Sequence, residues 1–359
     1  MATDEERRAA RDAKLDALHE RLTGAVEQLV SGDDWRRALE FAARFRSRSF
    51  NNTLLIWSQH LDAYEQGRTT APEPTYVAGY KAWKSLGRSP LPGGYMIYAP
   101  VTARFASSTP QDADSWRRLG KFEKPKPGEL VRSRMVRARP TYVWDVSFTV
   151  GPPIPERPVP RLLEGQAPDG LWNGLAALIE AEGYRVLTVE HEGLIHGANG
   201  LTDYTAHTVA VRTNMDQAAQ AKTLAHELAH VKLHGPDNPD AIKHRGIGEV
   251  EAESVALMIG AAPGMDTSSY TAPYVSGWAG TVKDTEPVEV VKATGERVRK
   301  AAAAILDALP TAQVGAGDPP GLVGDAEAAE HAEPPERASA PLPSAPRPSR
   351  AADLMARSL

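Results

Sequence analysis

The segment His226-Glu227-Leu228-Ala229-His230 combines residue types and a spacing that suit metal chemistry. Two histidines four positions apart on a helix lie about one turn apart on the same face. They can supply two ligands to zinc, which binds imidazole nitrogens at about 2.0–2.1 Å. Glu227 lies beside them and would act as general base toward a water that the ion activates. The pattern predicts a zinc metallopeptidase of the HExxH, gluzincin-like type, acting on a peptide or protein substrate.

A catalytic zinc site needs a third protein ligand, and the chain has no cysteine to supply one. His234 continues the spacing, but two turns, about 12 Å, separate it from His226, which is too far to share one ion. The next helix is a better source, because Glu249 and Glu253 lie four apart on one face while Glu251 points elsewhere. We expect Glu249 to bind the metal and Glu253 to orient a histidine N–H. An exchange of these two roles, or Glu251 as the ligand, remains open.

Two further features are expected near the metal. Tyr270 and Tyr274 follow the glutamate helix and are candidates to stabilise the developing oxyanion, although either could simply pack in the core. The run from His207 to Thr213 has an extended pattern. It is predicted to be an edge strand that holds a peptide substrate by strand addition.

The elements that must position these residues follow from hydrophobic periodicity and from glycine and proline breaks. In the C-terminal half they are helices at about 170–182, 215–235, 247–262 and 288–309, and strands at 184–190 and 207–213. In the N-terminal half they are helices at 3–30 and from about Asp34 to Phe45, and strands around Tyr95 and at 141–150. Residues 106–131 are polar and are predicted to form a loop or insertion. The fold class predicted is α+β.

The Pro-rich stretch 151–160 is predicted to be a hinge between two domains. We expect an N-terminal domain at 1–155, a zincin-like domain at 160–310, and a tail at 311–359. The tail is rich in Pro, Ala, Ser and Glu and poor in large apolar residues. It is therefore predicted to be disordered.

Composition narrows the class of protein further. With 359 residues, 42% of them hydrophobic, the chain can bury sizeable cores. The absence of cysteine excludes disulfide scaffolds, thiolate metal sites and cysteine nucleophiles. The charged N-terminus has no apolar signal region, and no apolar run approaches the roughly 20 residues of a membrane span. We therefore expect a cytoplasmic protein with no membrane partner; the oligomeric state is left open.

Charge is distributed unevenly along the chain. Residues 32–150 carry 19 Lys and Arg against 11 Asp and Glu, whereas the whole chain has a net charge of −5. In this region basic residues alternate with aromatic ones. Such a composition favours single-stranded nucleic acid as a partner, because cations follow the phosphates while rings stack on bases. The alternative is that Trp57, Trp83 and Tyr95 belong to the core and the arginines extend around them.

Several blocks taken together resemble the ArdC-type antirestriction proteins of plasmids and other mobile elements. These blocks are Ser49–Ile56, Val77–Arg88, Met96–Val101, Tyr142–Ser147, His226–His230 and Glu249–Glu253. The C-terminal blocks also resemble the ImmA/IrrE proteins, which cleave repressors. One departure from the ArdC pattern is Ser89–Gly94, which replaces a basic, glycine-containing turn.

The resemblance implies a single-stranded-DNA-binding domain joined to a zincin-like metallopeptidase domain, with a role in antirestriction or in mobile elements. The DNA-binding residues expected from the pattern and the resemblance are Arg46, Arg48, Asn52, Trp57, Tyr80, Lys81, Trp83, Lys84 and Arg88. Two other interpretations remain. One is a regulatory protease of the ImmA/IrrE kind that cleaves a repressor; the other is a non-catalytic DNA-binding protein with a structural metal site.

Overall fold

The computed structural model describes residues 3–29, 31–154, 165–235, 245–267, 279, 285–313 and 317–319. The helices are α1 (Asp4–Glu27), α2 (Gly32–Arg44), α3 (Phe50–Glu65), α4 (Tyr80–Ser85), α5 (Leu171–Ala181), α6 (Gln217–Leu233), α7 (Arg245–Ala261) and α8 (Pro287–Ala308). The strands are β1 (Val77–Gly79), β2 (Ser89–Pro90), β3 (Tyr95–Ser107), β4 (Arg117–Arg118), β5 (Leu130–Asp145), β6 (Thr149–Val150), β7 (Arg185–Val189), β8 (Gly200–Asp203) and β9 (Thr208–Arg212). This mixture confirms the predicted α+β class.

The chain forms two compact units. Among the described residues, unit 1 consists of those within 3–99 and 139–319, and unit 2 consists of residues 100–138. The core of unit 1 joins the N-terminal helices to the C-terminal ones: the fully buried Trp35 of α2 donates its indole N–H to Ser254 Oγ of α7 at 2.9 Å. At the start of α3, the backbone N–H of Phe50 donates to Glu296 of α8 at 2.7 Å.

The predicted domains, 1–155 and 160–310, and the hinge at 151–160 stay a prediction, since residues 155–164 lie outside the described part of the chain. Within unit 1, the apolar faces of α2 and α3 are buried against α7 and α8. A proline-rich sequence marks a break in secondary structure, but it does not show which surfaces pack together in space.

Capping interactions explain where two of the helices begin. Ser31 caps α2: its Oγ accepts from the Asp34 N–H, and the Asp34 carboxylate accepts from the Ser31 N–H. This is a capping box, so α2 begins at Gly32, two residues earlier than the predicted start at Asp34. Asp216 caps α6 by accepting from the Ala219 N–H at 2.7 Å.

A three-stranded sheet of order β7-β9-β8 lies beside α6. β9 pairs in parallel with β7 and antiparallel with β8, so the strand predicted to be an edge, 207–213, is the central one. The edge next to α6 is β8, which the sequence analysis did not predict because a four-residue strand containing Gly200 gives almost no periodic signal. The sheet thus has two edges, β7 and β8, and β8 is the one that contacts α6.

A second sheet has the order β1-β5-β3-β4. Within unit 2, β3 pairs antiparallel with β4. The loop predicted at 106–131 is wrong at both ends, since β3 extends to Ser107 and β5 begins at Leu130. Both faces of β5 are largely exposed there, so the alternation of polar and apolar residues that identifies a half-buried strand is missing.

In the part of the chain that the structure describes, no helix combines the length and apolar character needed to cross a bilayer.

Asp318, within the stretch predicted as a disordered tail, lies 2.9 Å from the buried guanidinium of Arg48. Residues 320–359 lie outside the described residues.

Candidate metal centre

The candidate metal centre is formed by His226 and His230 of α6 and Glu249 of α7. One ligand atom from each residue lies within 4.8 Å of the other two. The two Nε2 atoms are 3.0 Å apart, and each lies 3.5 Å from an oxygen of Glu249. The structure thus brings together the three residues that the sequence proposed as ligands.

Helix geometry and packing account for this convergence. The four-residue spacing places the two imidazoles on the face of α6 that packs against α7, and among the described helices these two make the most extensive contact. Leu224 and Leu228 of α6 are completely buried, as are Val255 and Met258 of α7. Burial of these apolar side chains holds the polar groups of the two helices opposite one another.

Glu253 orients His226. Its Oε2 lies 3.2 Å from His226 Nδ1, and its Oε1 lies 2.5 Å from Lys222 Nζ. Burial opposes a charge on His226, but the interactions with Glu249 and Glu253 outweigh it and raise the pKa of His226 to about 9. Glu253 therefore occupies the supporting position expected of it, and Lys222 is a partner that the sequence analysis missed.

His230 contacts a different set of groups. Its Nδ1 lies 3.0 Å from Nδ1 of His234, whose Nε2 lies 3.1 Å from Oε2 of Glu251. Oε1 of Glu251 accepts from Nε of Arg297 at 2.6 Å. Burial and the adjacent charge of His226 lower the pKa of His230 to about 4. Neither His234 nor Glu251 belongs to the group of three ligand atoms.

Glu227 is buried next to this site, with 6% of its surface exposed. Thr202 Oγ1 of β8 donates to Glu227 Oε2 at 2.6 Å. Burial raises the pKa of Glu227, partly offset by the Thr202 hydrogen bond and by His226. Gly200 allows this close approach, because a Cβ there would lie 2.6 Å from Glu227 Oε1 and from Thr223 Cγ2. Thr202 and Gly200 were not predicted, and only the strand β8 would have indicated them.

The residues present fit a divalent cation. Two imidazole nitrogens and a carboxylate face one another, and each imidazole has its other nitrogen engaged by a hydrogen-bond partner, as is usual for metal-binding histidines. The three donors suit zinc, and they also suit other divalent ions of the first transition series. Tyr270 and Tyr274, the oxyanion candidates, lie outside the described residues.

The residues predicted to bind DNA fall into two groups. Arg48, Asn52, Trp83 and Arg88 are buried, which argues against direct contact with DNA. Their polar groups bond within the fold: Asn52 exchanges two hydrogen bonds with the backbone of Tyr98, and the Trp83 indole donates to Trp144 O.

Arg88 is held by Thr149 and by the carbonyls of Gly151 and Pro152. The Arg48 guanidinium pairs with Asp318 and donates to Val77 O. Composition alone does not distinguish such internal cations from solvent-exposed ones, because their partners are distant in sequence. Of the three aromatic residues that the alternative places in the core, Trp83 and Tyr95 are buried, and Trp57 is partly buried against it.

The other predicted residues lie nearer the surface. Tyr80, Lys81 and Lys84 on α4 are exposed, whereas Arg46 and Trp57 are half-buried. The Tyr80 ring meets Trp144 edge-on at 6.0 Å, and Tyr142 lies 6.4 Å from Trp144 on the same strand, β5. We call Tyr80, Tyr142 and Trp144 the aromatic cluster. Lys84 and Lys14 lie over the rings of Tyr80 and Tyr142.

Comparisons with known proteins agree with the resemblances noted in the sequence. Residues 186–269 match the family model of the IrrE N-terminal-like domain, Peptidase_M78. This segment contains β8, β9, α6 and α7, and all of β7 except its first residue, Arg185.

An uncharacterized protein of Bacillus anthracis is 25% identical over 284 residues, which is 74% of this chain and 46% of the relative. The chain thus spans about half the length of the curated relative it matches. Two crystal structures of the antirestriction protein ArdC from the R388 plasmid are also similar, one metal-free and one Mn(II)-bound. Each similarity covers 73% of this chain and 84% or 88% of the ArdC chain, with TM-scores of 0.41 and 0.39 and identities of 18% and 19%.

Proposed function

We propose, from the IrrE N-terminal-like segment and the geometry within it, that the chain is a divalent-metal-dependent endopeptidase, with zinc as the expected ion. The observation that carries this proposal is the convergence of His226, His230 and Glu249 beside the buried carboxylate of Glu227. When bound, a divalent cation supplies Lewis-acid polarisation of a peptide carbonyl.

Glu227 is the residue proposed to move the proton. A general base works best when its pKa lies near the pH at which it acts, and burial shifts the pKa of Glu227 upward in that direction. The Thr202 hydroxyl fixes one carboxylate oxygen, so the proton transfers occur at a defined position. Glu249 and the two histidines are proposed to hold the ion, with Glu253 keeping His226 in orientation.

The substrate proposed is an extended peptide. β8 is the edge of its sheet and contacts α6, and Thr202 on β8 touches Glu227. A peptide that added to this edge would form main-chain hydrogen bonds beside the carboxylate. The proposed endopeptidase acts on a protein, and the ImmA/IrrE resemblance makes a repressor one candidate substrate.

The peptidase proposal is tested with the purified full-length protein. Metal content is measured, and cleavage of a casein-derived fluorogenic substrate is followed for wild type, for Glu227→Gln, and for Glu180→Gln, an exposed glutamate on α5. We expect one equivalent of divalent ion, cleavage that a chelator abolishes, and no cleavage by Glu227→Gln, which keeps its metal. Metal binding without Glu227-dependent cleavage of any protein substrate would favour a structural metal site instead.

A second function, binding of single-stranded DNA, is favoured by the aromatic cluster. Tyr80 and Tyr142 are 52% and 42% exposed, and a lysine lies beside each ring. Bases stack on such rings with little sequence preference, and ammonium groups neutralise the phosphates. The ArdC resemblance of this region implies the same partner, in the setting of antirestriction or mobile DNA.

Unit 2 carries a separate cationic surface. Residues 100–138 contain nine Lys and Arg against four Asp and Glu, and two of these acids, Glu123 and Glu129, pair with Arg117. The remaining cations include Arg132 and Arg134, whose guanidinium groups lie 5.0 and 4.9 Å from the centroid of Trp116. This excess charge supports the same class of partner.

DNA binding is tested by fluorescence anisotropy with a labelled oligonucleotide at several salt concentrations. We expect wild type to bind single strands with a steep salt dependence, and Tyr142→Ala to bind more weakly by about 1–3 kcal/mol, the contribution of one stacked base. Tyr64→Ala is the matched control, since Tyr64 is 41% exposed on α3 and is not a member of the aromatic cluster. The absence of binding at low salt would refute the DNA-binding function and leave the peptidase proposal intact.

A further inference from the structure

The two histidines of the metal centre are supported in different ways. His226 contacts a carboxylate directly, through Glu253, and that carboxylate is paired with Lys222. His230 has no such direct contact at Nδ1; its partner there is another imidazole, that of His234. The carboxylate, Glu251, lies one step further away and is paired with Arg297.

We propose that His234 is a positioning residue. It is hydrogen-bonded to the Glu251–Arg297 pair through one ring nitrogen and to His230 through the other, and it thereby keeps the Nε2 lone pair of His230 directed at the metal centre. We call this chain of Arg297, Glu251, His234 and His230 the relay. This inference rests on the proposed function, in which His230 holds the ion. It assigns a role to a residue that the spacing of the ligands had excluded from direct metal binding.

The hydrogen-bond partners determine the direction of each link. Arg297 carries only donors, so Glu251 accepts from it and acts as a carboxylate. Glu251 then accepts the Nε2 proton of His234, which leaves a lone pair on His234 Nδ1. Two Nδ1 atoms 3.0 Å apart can share only one proton, so His230 donates from Nδ1 and keeps its lone pair on Nε2. That nitrogen faces His226 and Glu249.

The relay is enclosed, which makes its geometry well defined. The side chains of His234 and Glu251 are 9% and 5% exposed. The backbone of α7 flanks the His234 ring, because a Cβ on Gly248 would lie 3.6 Å from it. Water therefore competes weakly for these hydrogen bonds, and a ring held on both sides has little freedom to turn.

A purely structural role for His234 is the alternative. The residue follows the last turn of α6, where an imidazole can interact favourably with the helix dipole. A structural role predicts that substitutions change the free energy of unfolding but not the protonation pattern of His230. The relay predicts that they change the tautomer of His230 and the affinity for metal.

The test compares two substitutions in the full-length protein that both fill the space of the ring. His234→Gln retains one acceptor and one donor, and His234→Leu retains neither. Zn²⁺ affinity is measured by chelator competition, and the midpoint of thermal unfolding is recorded for each variant. We expect His234→Leu to bind Zn²⁺ about 10–100-fold more weakly, the usual effect of removing such a partner, and His234→Gln to recover most of that loss. Lys232→Ala lies on the same helix as the ligand histidines and breaks an ion pair with Glu182, which follows α5; it should leave the affinity unchanged.

The second readout is the tautomer of His230, determined by NMR of the metal-free protein with ¹⁵N-labelled histidine. We expect the proton on Nδ1 in wild type and in His234→Gln, and a mixture of tautomers in His234→Leu. Equal Zn²⁺ affinities for wild type and both variants, or a His230 proton on Nε2 in wild type, would overturn the relay. If wild type fails to bind Zn²⁺ or another divalent ion, the peptidase proposal fails, and the NMR result still decides the relay independently.

Discussion

The hydroxyl of Thr202 lies 2.6 Å from Oε2 of Glu227, so a residue of the edge strand holds the acid of the helix motif. A hydrogen bond to a charged group contributes about 1.5–3 kcal/mol. Here it opposes burial, which is the larger effect and raises the pKa of Glu227. β8 and α6 therefore together determine the position and the pKa of the Glu227 carboxylate.

We expect Thr202→Val to reduce kcat for peptide cleavage by about 10-fold or more, because the carboxylate loses its fixed partner while the metal ligands are unchanged. Steady-state kinetics and metal content measure the two effects separately. Thr188→Val is the control, since Thr188 is exposed on the other edge strand, β7. Equal kcat values for wild type and Thr202→Val would show that the hydroxyl does not position the base.

Gly200 is expected to tolerate no side chain. A Cβ there would lie 2.6 Å from Glu227 Oε1, so Gly200→Ala should displace either β8 or the carboxylate. We expect a loss of activity larger than that of Thr202→Val, with bound metal retained. Gly24→Ala is the matched control, because its Cβ would meet nothing within 4 Å, and alanine within a helix should raise stability by about 0.5–1 kcal/mol. Full activity of Gly200→Ala would contradict the close approach of strand and acid.

The packing of α2 on α7 predicts a stability effect across the chain. Ser254→Ala leaves the buried indole N–H of Trp35 without its acceptor, which should lower the free energy of unfolding by about 1–3 kcal/mol. Urea denaturation followed by circular dichroism measures the change. Ser85→Ala, at an exposed position on α4, should have almost no effect. A similar stability for both variants would mean that residues 35 and 254 are not in contact.

Arg88 and Lys84 give opposite predictions for DNA binding. The Arg88 guanidinium bonds inside the fold, so Arg88→Met should reduce stability and leave the dependence of DNA affinity on salt unchanged. Lys84 is exposed beside the aromatic cluster, and Lys84→Met should reduce the slope of log K against log salt by about 1. A slope that is reduced in Arg88→Met but not in Lys84→Met would contradict this assignment.

Unit 2 should lose an internal contact in acid. Hydrogen bonds from Arg117 and from the Lys126 N–H lower the pKa of Glu129 from its ordinary value of 4.5 to about 2. Since the folded pKa is the lower one, the stabilisation is complete above pH 4.5 and disappears as the pH falls toward 2. Hydrogen exchange of the Lys126 amide should accelerate over this range. In Glu129→Gln the exchange should be fast throughout and independent of pH after correction for intrinsic rates; the same acceleration in acid in that variant would exclude Glu129 as its cause.

The part of the metal centre that lies on helices was predictable from the sequence, because helical spacing converts directly into a shared face. His226 and His230 follow from the period of α6, and Glu249 and Glu253 from that of α7. Their identification needed no knowledge of how the helices cross. Whether they bind an ion remains a proposal.

The parts that depend on tertiary pairing were not predictable. Thr202 reaches Glu227 from a strand of four residues, and Arg297 reaches Glu251 from a helix 46 residues further along. Arg48 was assigned to DNA from its basic, aromatic surroundings, yet its partner, Asp318, is 270 residues away. Local sequence records that a residue is charged, but only the fold determines whether that charge faces water or a buried partner.

The burial of α2 and α3 against α7 and α8 has a consequence for how such a chain can change over time. The side chains of α2 and α3 fit those of α7 and α8 at this apolar interface, as the hydrogen bond from Trp35 to Ser254 illustrates. A recombination event that replaced one half with a counterpart from another gene would leave mismatched surfaces and an unstable product. We therefore expect the N-terminal and C-terminal halves to be inherited together, with compensating substitutions on both sides of the interface, rather than exchanged separately by recombination.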